Sequence, residues 1–541
     1  MPVPVTRHYV TVDGRFGRRQ VHYRRAGSGP ALLLLHQSPQ SSRELEPLLA
    51  AWGDHFTCLA PDSPGYGCSD PLGLAAATLD DFAAAVIEFC DAIGVVRAGV
   101  YGFHTGGMIG IALGHRHPER IAAVAANGVA VLDAAERARI LADYLPPVVP
   151  RWDGSHLAWA WARCREQTIF FPWHWRTLAR RMDFAMPGPG HVQQAVLELL
   201  RAGDNYHVAY RAAFLHDSPA ALRAMLPPAL VTASPLDPLA PHLDRIGPVS
   251  ASTTVGVARD SADAVERCRA HLIAHAGDAV PPPPVPWARA AGDTALRRAL
   301  VPTPVGVIHL RWNRPAAAGE RPVLLLHAPG ASSATWGPAL ATLAGRHAVL
   351  APDLPGHGES DPLVHADLGR IAACITAVLA LLDAAAVPPV RVLADGFGAV
   401  LALALADAAP GRVAELVLAG RATPDADARA AWRRSFAPEA PEWHGGHLLR
   451  YWHTVRDGRL YAPWFRRDRE GIRWLEPDLD DARLQRDVLE LMKSAGHWQE
   501  LLAELLERTA GDPLAGPRAR GVRVTELPAG AAPGEALAAA G

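Results

Sequence analysis

Short, uniformly apolar runs alternate with helix-length amphipathic stretches along this chain. Residues 31–35, 56–60, 98–101 and 121–127 are such runs, bounded by polar or turn-forming residues. A run of that length without polar alternation predicts a strand buried on both faces, as in a parallel sheet. Between the runs, residues 79–93 are apolar-rich at helical spacing, and residues 108–115 predict a helix opened by Gly106 and Gly107. Strands alternating with helices predict a doubly wound, mostly parallel α/β sheet. The rhythm breaks over about 134–217, a helix-like stretch rich in tryptophan, as an inserted cap would be. Strands resume at 228–233 and 253–258.

The whole pattern occurs twice. His36 and His327 each close an apolar run and stand 291 residues apart. Asp62-Ser63-Pro64-Gly65-Tyr66-Gly67-Cys68-Ser69-Asp70 matches Asp353-Leu354-Pro355-Gly356-His357-Gly358-Glu359-Ser360-Asp361 at the same offset. In the cap, Trp152, His156, Trp161, Arg165 and Trp173 meet Trp443, His447, Trp452, Arg456 and Trp464. A spacing this long is domain duplication, not a solenoid period. The divider is a proline run over 281–286, which cannot propagate a helix or a central strand and serves as a semi-rigid spacer. The expected layout is a first domain over 1–278 with its cap at about 134–217, a linker over 279–299, and a second domain over 300–541 with its cap at about 424–508.

Composition narrows the function class. A chain with 49% hydrophobic and 20% charged residues is globular rather than disordered. The formal net charge of −2 gives no electrostatic case for nucleic acid or an anionic membrane. Six scattered cysteines without a C-x-x-C pair predict free thiols in a reducing compartment. No charged segment leads into an apolar stretch at the N-terminus, and no run approaches the roughly 20 apolar residues of a membrane span. A cytoplasmic protein acting on a small molecule is expected, with no cofactor. No metal site is expected either: His271 and His275, at i,i+4 spacing, lack the glutamate of H-E-x-x-H.

Candidate chemistry sits at two strand-to-helix elbows. Val100-Tyr101-Gly102-Phe103-His104-Thr105-Gly106-Gly107 has the form G-x-S-x-G with His104 where the serine belongs. Leu393-Ala394-Asp395-Gly396-Phe397-Gly398-Ala399 repeats it with Gly396 in that place. Such an elbow holds its central side chain exposed above the sheet. Glycine has no group to react with; histidine can still move protons.

With the strand-then-His36 turn, the 61–70 stretch and the elbow, the chain resembles the α/β-hydrolase fold superfamily twice over. The resemblance implies a fold and not a reaction, because that fold hosts esterases, epoxide hydrolases, dehalogenases, lyases and non-enzymes. It implies a catalytic acid after the strand that follows the cap, which is Asp237 in Pro235-Leu236-Asp237-Pro238. It implies a histidine after the last strand, where this chain has Arg259-Asp260-Ser261. It implies oxyanion donors in the backbone N–H groups of Gln37 and Thr105. In the second copy no histidine follows Trp498, Asp512 is the candidate echo of Asp237, and 522–527 the candidate last strand.

An imidazole reaches further from the backbone than a hydroxyl. His104 is therefore expected to enter the space of the absent histidine, with Asp237 fixing its tautomer and the other ring nitrogen left as a general base. His36, His156, Trp161 and Arg165 are further candidates for substrate contact. On a straight helix His156 and Arg165 lie about 180° apart, so they cannot both face one pocket. Two functions stay open. One is a hydrolase or lyase acting on a small carbonyl or carboxyl substrate with a His104–Asp237 base, its second domain an inactive partner in an intramolecular pseudo-dimer. The other is a non-catalytic pseudoenzyme that binds a ligand or a protein.

Overall fold

A computed structural model describes residues 3–275, 277–283, 293–363, 367–420, 424–435, 440–509 and 515–527. Two compact units are present: Met1–Val149 with His156–Pro284 and Trp443–Gly445, and Pro150–Ser155 with Val285–Glu442 and Gly446–Gly541.

Among the described residues the first unit has eight strands: β1 (Thr6–Gly14), β2 (Gly17–Ala26), β3 (Ala31–Leu35), β4 (Thr57–Pro61), β5 (Ala98–Phe103), β6 (Ile121–Asn127), β7 (Ala229–Ala233) and β8 (Thr253–Val257). Their order across the sheet is β1-β2-β4-β3-β5-β6-β7-β8. From β4 to β8 every pairing is parallel, so the apolar runs do form a doubly wound sheet. The β1–β2 hairpin is antiparallel and went unread in the sequence. Its strands carry charged residues such as Arg18, Arg19, Arg24 and Arg25, so no uniformly apolar window marks them. Leu32 and Leu34 of β3 pack with Leu49, Trp52, Phe56, Cys268 and Leu272, all fully or nearly fully buried. Each aliphatic or aromatic side chain so buried contributes about 1.5–3 kcal/mol. Between β6 and β7 the chain is helical at Ala134–Asp143, Ser155–Gln167, Pro189–Ala202 and Tyr206–Leu215, in the stretch where a cap is expected.

The repeated Asp-x-Pro-Gly-x-Gly stretch has a structural explanation. Buried Asp62 accepts the His22 ring N–H and the backbone N–H groups of Ser42 and Cys68, each at 2.8 Å. Burial alone would push this carboxyl up, but His22, Arg24 and His36 around it hold it far below the usual range. In the second unit Asp353 does the same with His309 (2.9 Å), Ser333 (2.7 Å) and Glu359 (2.9 Å).

Among the described residues the second unit has seven strands: β9 (Arg297–Thr303), β10 (Gly306–Trp312), β11 (Val323–Leu326), β12 (Val349–Pro352), β13 (Val390–Asp395), β14 (Val413–Ala419) and β15 (Arg523–Leu527). Their order is β15-β14-β13-β11-β12-β10-β9. β15 pairs in parallel with β14, the place that β7 takes beside β6. The 522–527 segment is thus the counterpart of β7 and not of the last strand. Asp512 lies outside the described residues, and it precedes β15 in the chain whereas Asp237 follows β7. Chain order therefore removes Asp512 as the echo of Asp237. Among the described residues no helix is long and apolar enough to cross a membrane, and all six cysteines are unbonded.

Candidate active site

The elbow is assembled by close backbone approach. A side chain at Gly102 would collide with the backbone of Gly106 and Gly107, and one at Gly106 with the carbonyl of Leu35. These two glycines let β5 turn directly into the helix Thr105–Arg116. Between them His104 has φ 47° and ψ −110°. A non-glycine residue with positive φ is strained, and strain of this kind persists where the surrounding structure imposes it. The turn aims the imidazole above the C-terminal edge of the sheet.

There the ring meets Asp237. His104 Nε2 lies 2.9 Å from Asp237 Oδ2, an N–H···carboxylate bond. The other carboxylate oxygen accepts the Leu239 N–H at 2.8 Å, so the turn after β7 fixes the acid from behind. Burial would push Asp237 up; the His104 charge and bond, the Leu239 N–H and His242 together bring it below the usual carboxylate range. Phe103 stacks on the imidazole with ring centroids 4.0 Å apart. Gly128 leaves room for the ring: a Cβ there would collide with His104 Cδ2.

Two expectations need correction. The second ring nitrogen is not left open: Nδ1 lies 3.1 Å from Gln37 Oε1. The Gln37 backbone N–H is not a vacant oxyanion donor either, because it donates to Glu44 Oε1 at 2.7 Å. The Gln37 side chain donates in turn from Nε2 to Glu44 Oε2 at 3.0 Å. The result is an unbroken chain of side chains, Asp237–His104–Gln37–Glu44. Burial raises the Glu44 carboxyl to about 7, against the lowering effect of its Gln37 bonds and of His104, with the neighbouring carboxylate Glu198 adding to the rise.

All four residues line one cavity of about 580 Å³, as does Thr105. Its floor comes from the loops after β3, β5, β6 and β7, and its roof from residues between β6 and β7, including Tyr144, Phe171, Tyr210 and Phe214. Among the described residues, neither arginine nor lysine lines it. Ser261 and Val265 close it where the family histidine would be expected.

The other candidates lie elsewhere. His36 is buried and anchors its turn: Nε2 accepts the Ser63 N–H at 2.8 Å, and the Nδ1–H donates to the Gln37 carbonyl at 2.9 Å. His327 repeats this with the Leu354 N–H (2.9 Å) and the Ala328 carbonyl (2.9 Å), which marks it as scaffold. His156 and Trp161 are buried in the helix Ser155–Gln167, outside the cavity lining. Arg165 points to the surface, with Nη1 3.6 Å from Glu166. The buried cation of that helix is Arg163, which the sequence reading passed over. Its Nη1–H donates to Gln167 Oε1 at 2.7 Å, and Gln167 Nε2–H donates to the Tyr210 hydroxyl at 3.3 Å. Arg163 is seven residues from His156, close to two helical turns, so helical phase was the signal for it.

The second elbow is built alike, with Gly396 at φ 50° and, among the described residues, nothing where a side chain would stand. Its cavity of about 520 Å³ is lined by Asp395, Arg459, Asp487 and several tryptophans. Burial raises Asp395 to about 6, against the lowering effect of Arg459. At the 291-residue offset, Ala328 stands for Gln37 and Thr335 for Glu44. The second copy thus keeps the scaffold histidine and aspartate and lacks the Gln37–Glu44–His104 set.

Comparison with known proteins bears on the fold. The family model for the alpha/beta hydrolase fold matches residues 30–154 and again residues 321–444. A haloalkane dehalogenase 2 of Mycobacterium tuberculosis is 33% identical over 107 residues, which cover 20% of this chain and 37% of that protein. A soluble epoxide hydrolase of a Corynebacterium is 35% identical over 111 residues, covering 20% and 36%. The matched residues thus span little more than a third of the length of these curated relatives. A solved hydrolase from Pseudomonas aeruginosa superposes with a TM-score of 0.38 at 20% identity, over 49% of this chain and 97% of that one.

Proposed function

The chain carries two tandem copies of the α/β-hydrolase fold, and from that premise we propose that the first copy is a hydrolase or lyase whose base is the His104–Asp237 pair. The observation that carries this reading is the 2.9 Å bond between His104 Nε2 and Asp237 Oδ2 inside a capped cavity. Asp237 fixes the ring with its proton on Nε2, so Nδ1 is the nitrogen that accepts a proton once substrate or water takes the place of Gln37. The base then activates water for hydrolysis or removes a proton next to a carbonyl.

The cavity wall narrows the substrate. Glu44 and Asp237 line it with no arginine or lysine, which argues against a carboxylate ligand. The aromatic roof favours a neutral, partly apolar carbonyl compound such as an ester, lactone or ketone. The second copy is a non-catalytic partner in this reading, since Gly396 supplies no reacting group and its chain offers no Gln37–Glu44 pair. The two copies act as an intramolecular pseudo-dimer, a reading supported by the duplication itself. Six unbonded thiols support a reducing, cytoplasmic setting. The test is a panel of esters, lactones and ketones: wild type turns over at least one, and His104→Ala abolishes it.

One observation favours a non-catalytic reading. Both imidazole nitrogens and the Gln37 N–H are already satisfied within the protein. A binding protein would show saturable ligand binding with no turnover, and binding would survive His104→Ala.

A further inference from the structure

We propose that Glu44 is the general acid that complements His104, and that the Gln37 side-chain amide couples the two so that they hold one proton between them. The proposal rests on the reading of His104 as the base, and it adds a second catalytic group and the device that links them.

The geometry allows two arrangements with every hydrogen bond made. In the first, Glu44 is a carboxylate that accepts the Gln37 backbone N–H and the Gln37 Nε2–H. Gln37 Oε1 accepts the Nδ1–H of an imidazolium, whose Nε2–H donates to Asp237. In the second, the amide has turned over. Glu44 is then a neutral carboxyl whose O–H donates to Gln37 Oε1, the Gln37 Nε2–H donates to a neutral Nδ1, and the Nε2–H still donates to Asp237. The amide oxygen and nitrogen are nearly the same size and exchange places by rotation about the Gln37 Cγ–Cδ bond. Both arrangements contain the same atoms and the same net charge. They differ by one proton, on His104 Nδ1 in the first and on Glu44 in the second.

Position gives Glu44 its role. In an elbow of this kind the N–H of the residue after the strand-then-histidine turn faces the oxygen on which negative charge gathers. Here that N–H is Gln37's and Glu44 Oε1 sits on it at 2.7 Å. Glu44 Oε2, the oxygen that faces the amide, carries the proton on the same carboxyl, and once the amide is displaced this O–H protonates the developing oxyanion or leaving oxygen. Turnover starts from the second arrangement. Substrate, or a water, displaces the amide from Nδ1 and gives its proton to that nitrogen, while Glu44 delivers its proton to the substrate oxygen. The enzyme is left in the first arrangement, with an imidazolium and a carboxylate held apart by the turned amide. Passage of the Nδ1 proton to Glu44 through water in the cavity restores the start. The substrate loses one proton and gains one.

The groups around Glu44 suit this task. His104 faces it across Gln37 with Asp237 behind the ring, Glu198 acts on it from the helix Pro189–Ala202, and the Tyr101 phenol lies towards it from β5. Glu198 is itself buried and raised, by burial first and by Asp62, against the opposing effects of Arg201, Arg43 and Ser41. A second carboxyl at that distance favours a neutral Glu44. The duplication supplies an internal control. Ser41, Ser42 and Asp62 recur as Ser332, Ser333 and Asp353 with the same backbone bonds, so the turn that carries Glu44 forms without it. Thr335 takes its place where Gly396 has replaced the histidine.

Two measurements on the full chain test the proposal. With a substrate in hand, wild type should show a bell-shaped dependence of kcat on pH, with His104 giving the rising limb and Glu44 the falling one. Glu44→Gln should lower kcat about 10²-fold and remove the falling limb, and Glu44→Asp should restore part of it. With or without a substrate, NMR of ring-labelled histidine, with the His104 signal assigned through His104→Gln, should show its titration midpoint moving down in Glu44→Gln. Gln37→Met should also move it. A Glu44→Gln protein with an unchanged pH profile or an unchanged His104 titration overturns the proposal. Turnover that survives His104→Ala overturns instead the reading of His104 as the base, and the ring titration then still decides the coupling.

Discussion

At His104 a strained backbone, a stacked phenylalanine, a carboxylate and an amide all act on one ring. The strain has a visible dependence on space. Gly128→Ala would place a methyl group against His104 Cδ2, on a backbone at φ 79° that L side chains rarely adopt. It should destabilise the first unit by about 1–3 kcal/mol and break the His104–Asp237 bond, read as a lower unfolding midpoint together with loss of turnover. Glu44 makes a prediction with the opposite sign. Its carboxyl is raised from 4.5 to about 7 in the folded chain. The folded state therefore binds the proton more tightly than the unfolded state. Its contribution to stability is fully present below about pH 4.5 and is lost as pH rises through about 7. Glu44→Gln should thus match wild type in denaturant midpoint near pH 4 and exceed it at pH 8, by roughly 2–3 kcal/mol. A variant that gains stability while losing activity is what a residue kept for function gives.

Among the elements, the elbow and the central strands were legible because their sequence cause is local. Uniform apolar runs mark buried parallel strands, and glycines on both sides of one residue mark a tight turn. The place of Asp237 in the turn after β7 was legible from the strand that resumes at 228–233. The β1–β2 hairpin was not, since its charged residues hide a strand from an apolar window. Glu44 was not legible because its role depends on the short 3-10 turn at Ser42–Leu45 folding back onto Gln37, seven residues earlier, and no spacing rule marks that return. The one sequence signal was differential: Gln37, Glu44 and His104 all change in the second copy while the scaffold around them stays. This gives a test at the second elbow. Gly396→His should fold, because the space beside Gly396 is open, at a cost of about 1–2 kcal/mol for a side chain at φ 50°. It should gain no activity, since Ala328 and Thr335 cannot form the proton-sharing chain. Turnover arising in a Gly396→His, His104→Ala double variant would contradict the need for Gln37 and Glu44.

At the scale of the whole molecule the duplication separates what both copies keep from what one copy keeps. The His22–Asp62 and His309–Asp353 pairs hold the same loop in both copies, whereas the Gln37–Glu44–His104 set occurs in one. The pseudo-dimer proposal predicts that a protease cutting within 279–299 leaves two halves that still elute together on a sizing column. Halves that separate freely would remove it. The account stands on one pair of residues. Its most direct test is the pH dependence of turnover of a neutral ester, lactone or ketone by wild type, His104→Ala and Asp237→Asn. The account predicts a wild-type rate that rises as His104 loses its proton, none above background for His104→Ala, and a sharp loss for Asp237→Asn, whose amide no longer holds the tautomer. Undiminished turnover by His104→Ala, with the same pH profile as wild type, would contradict it.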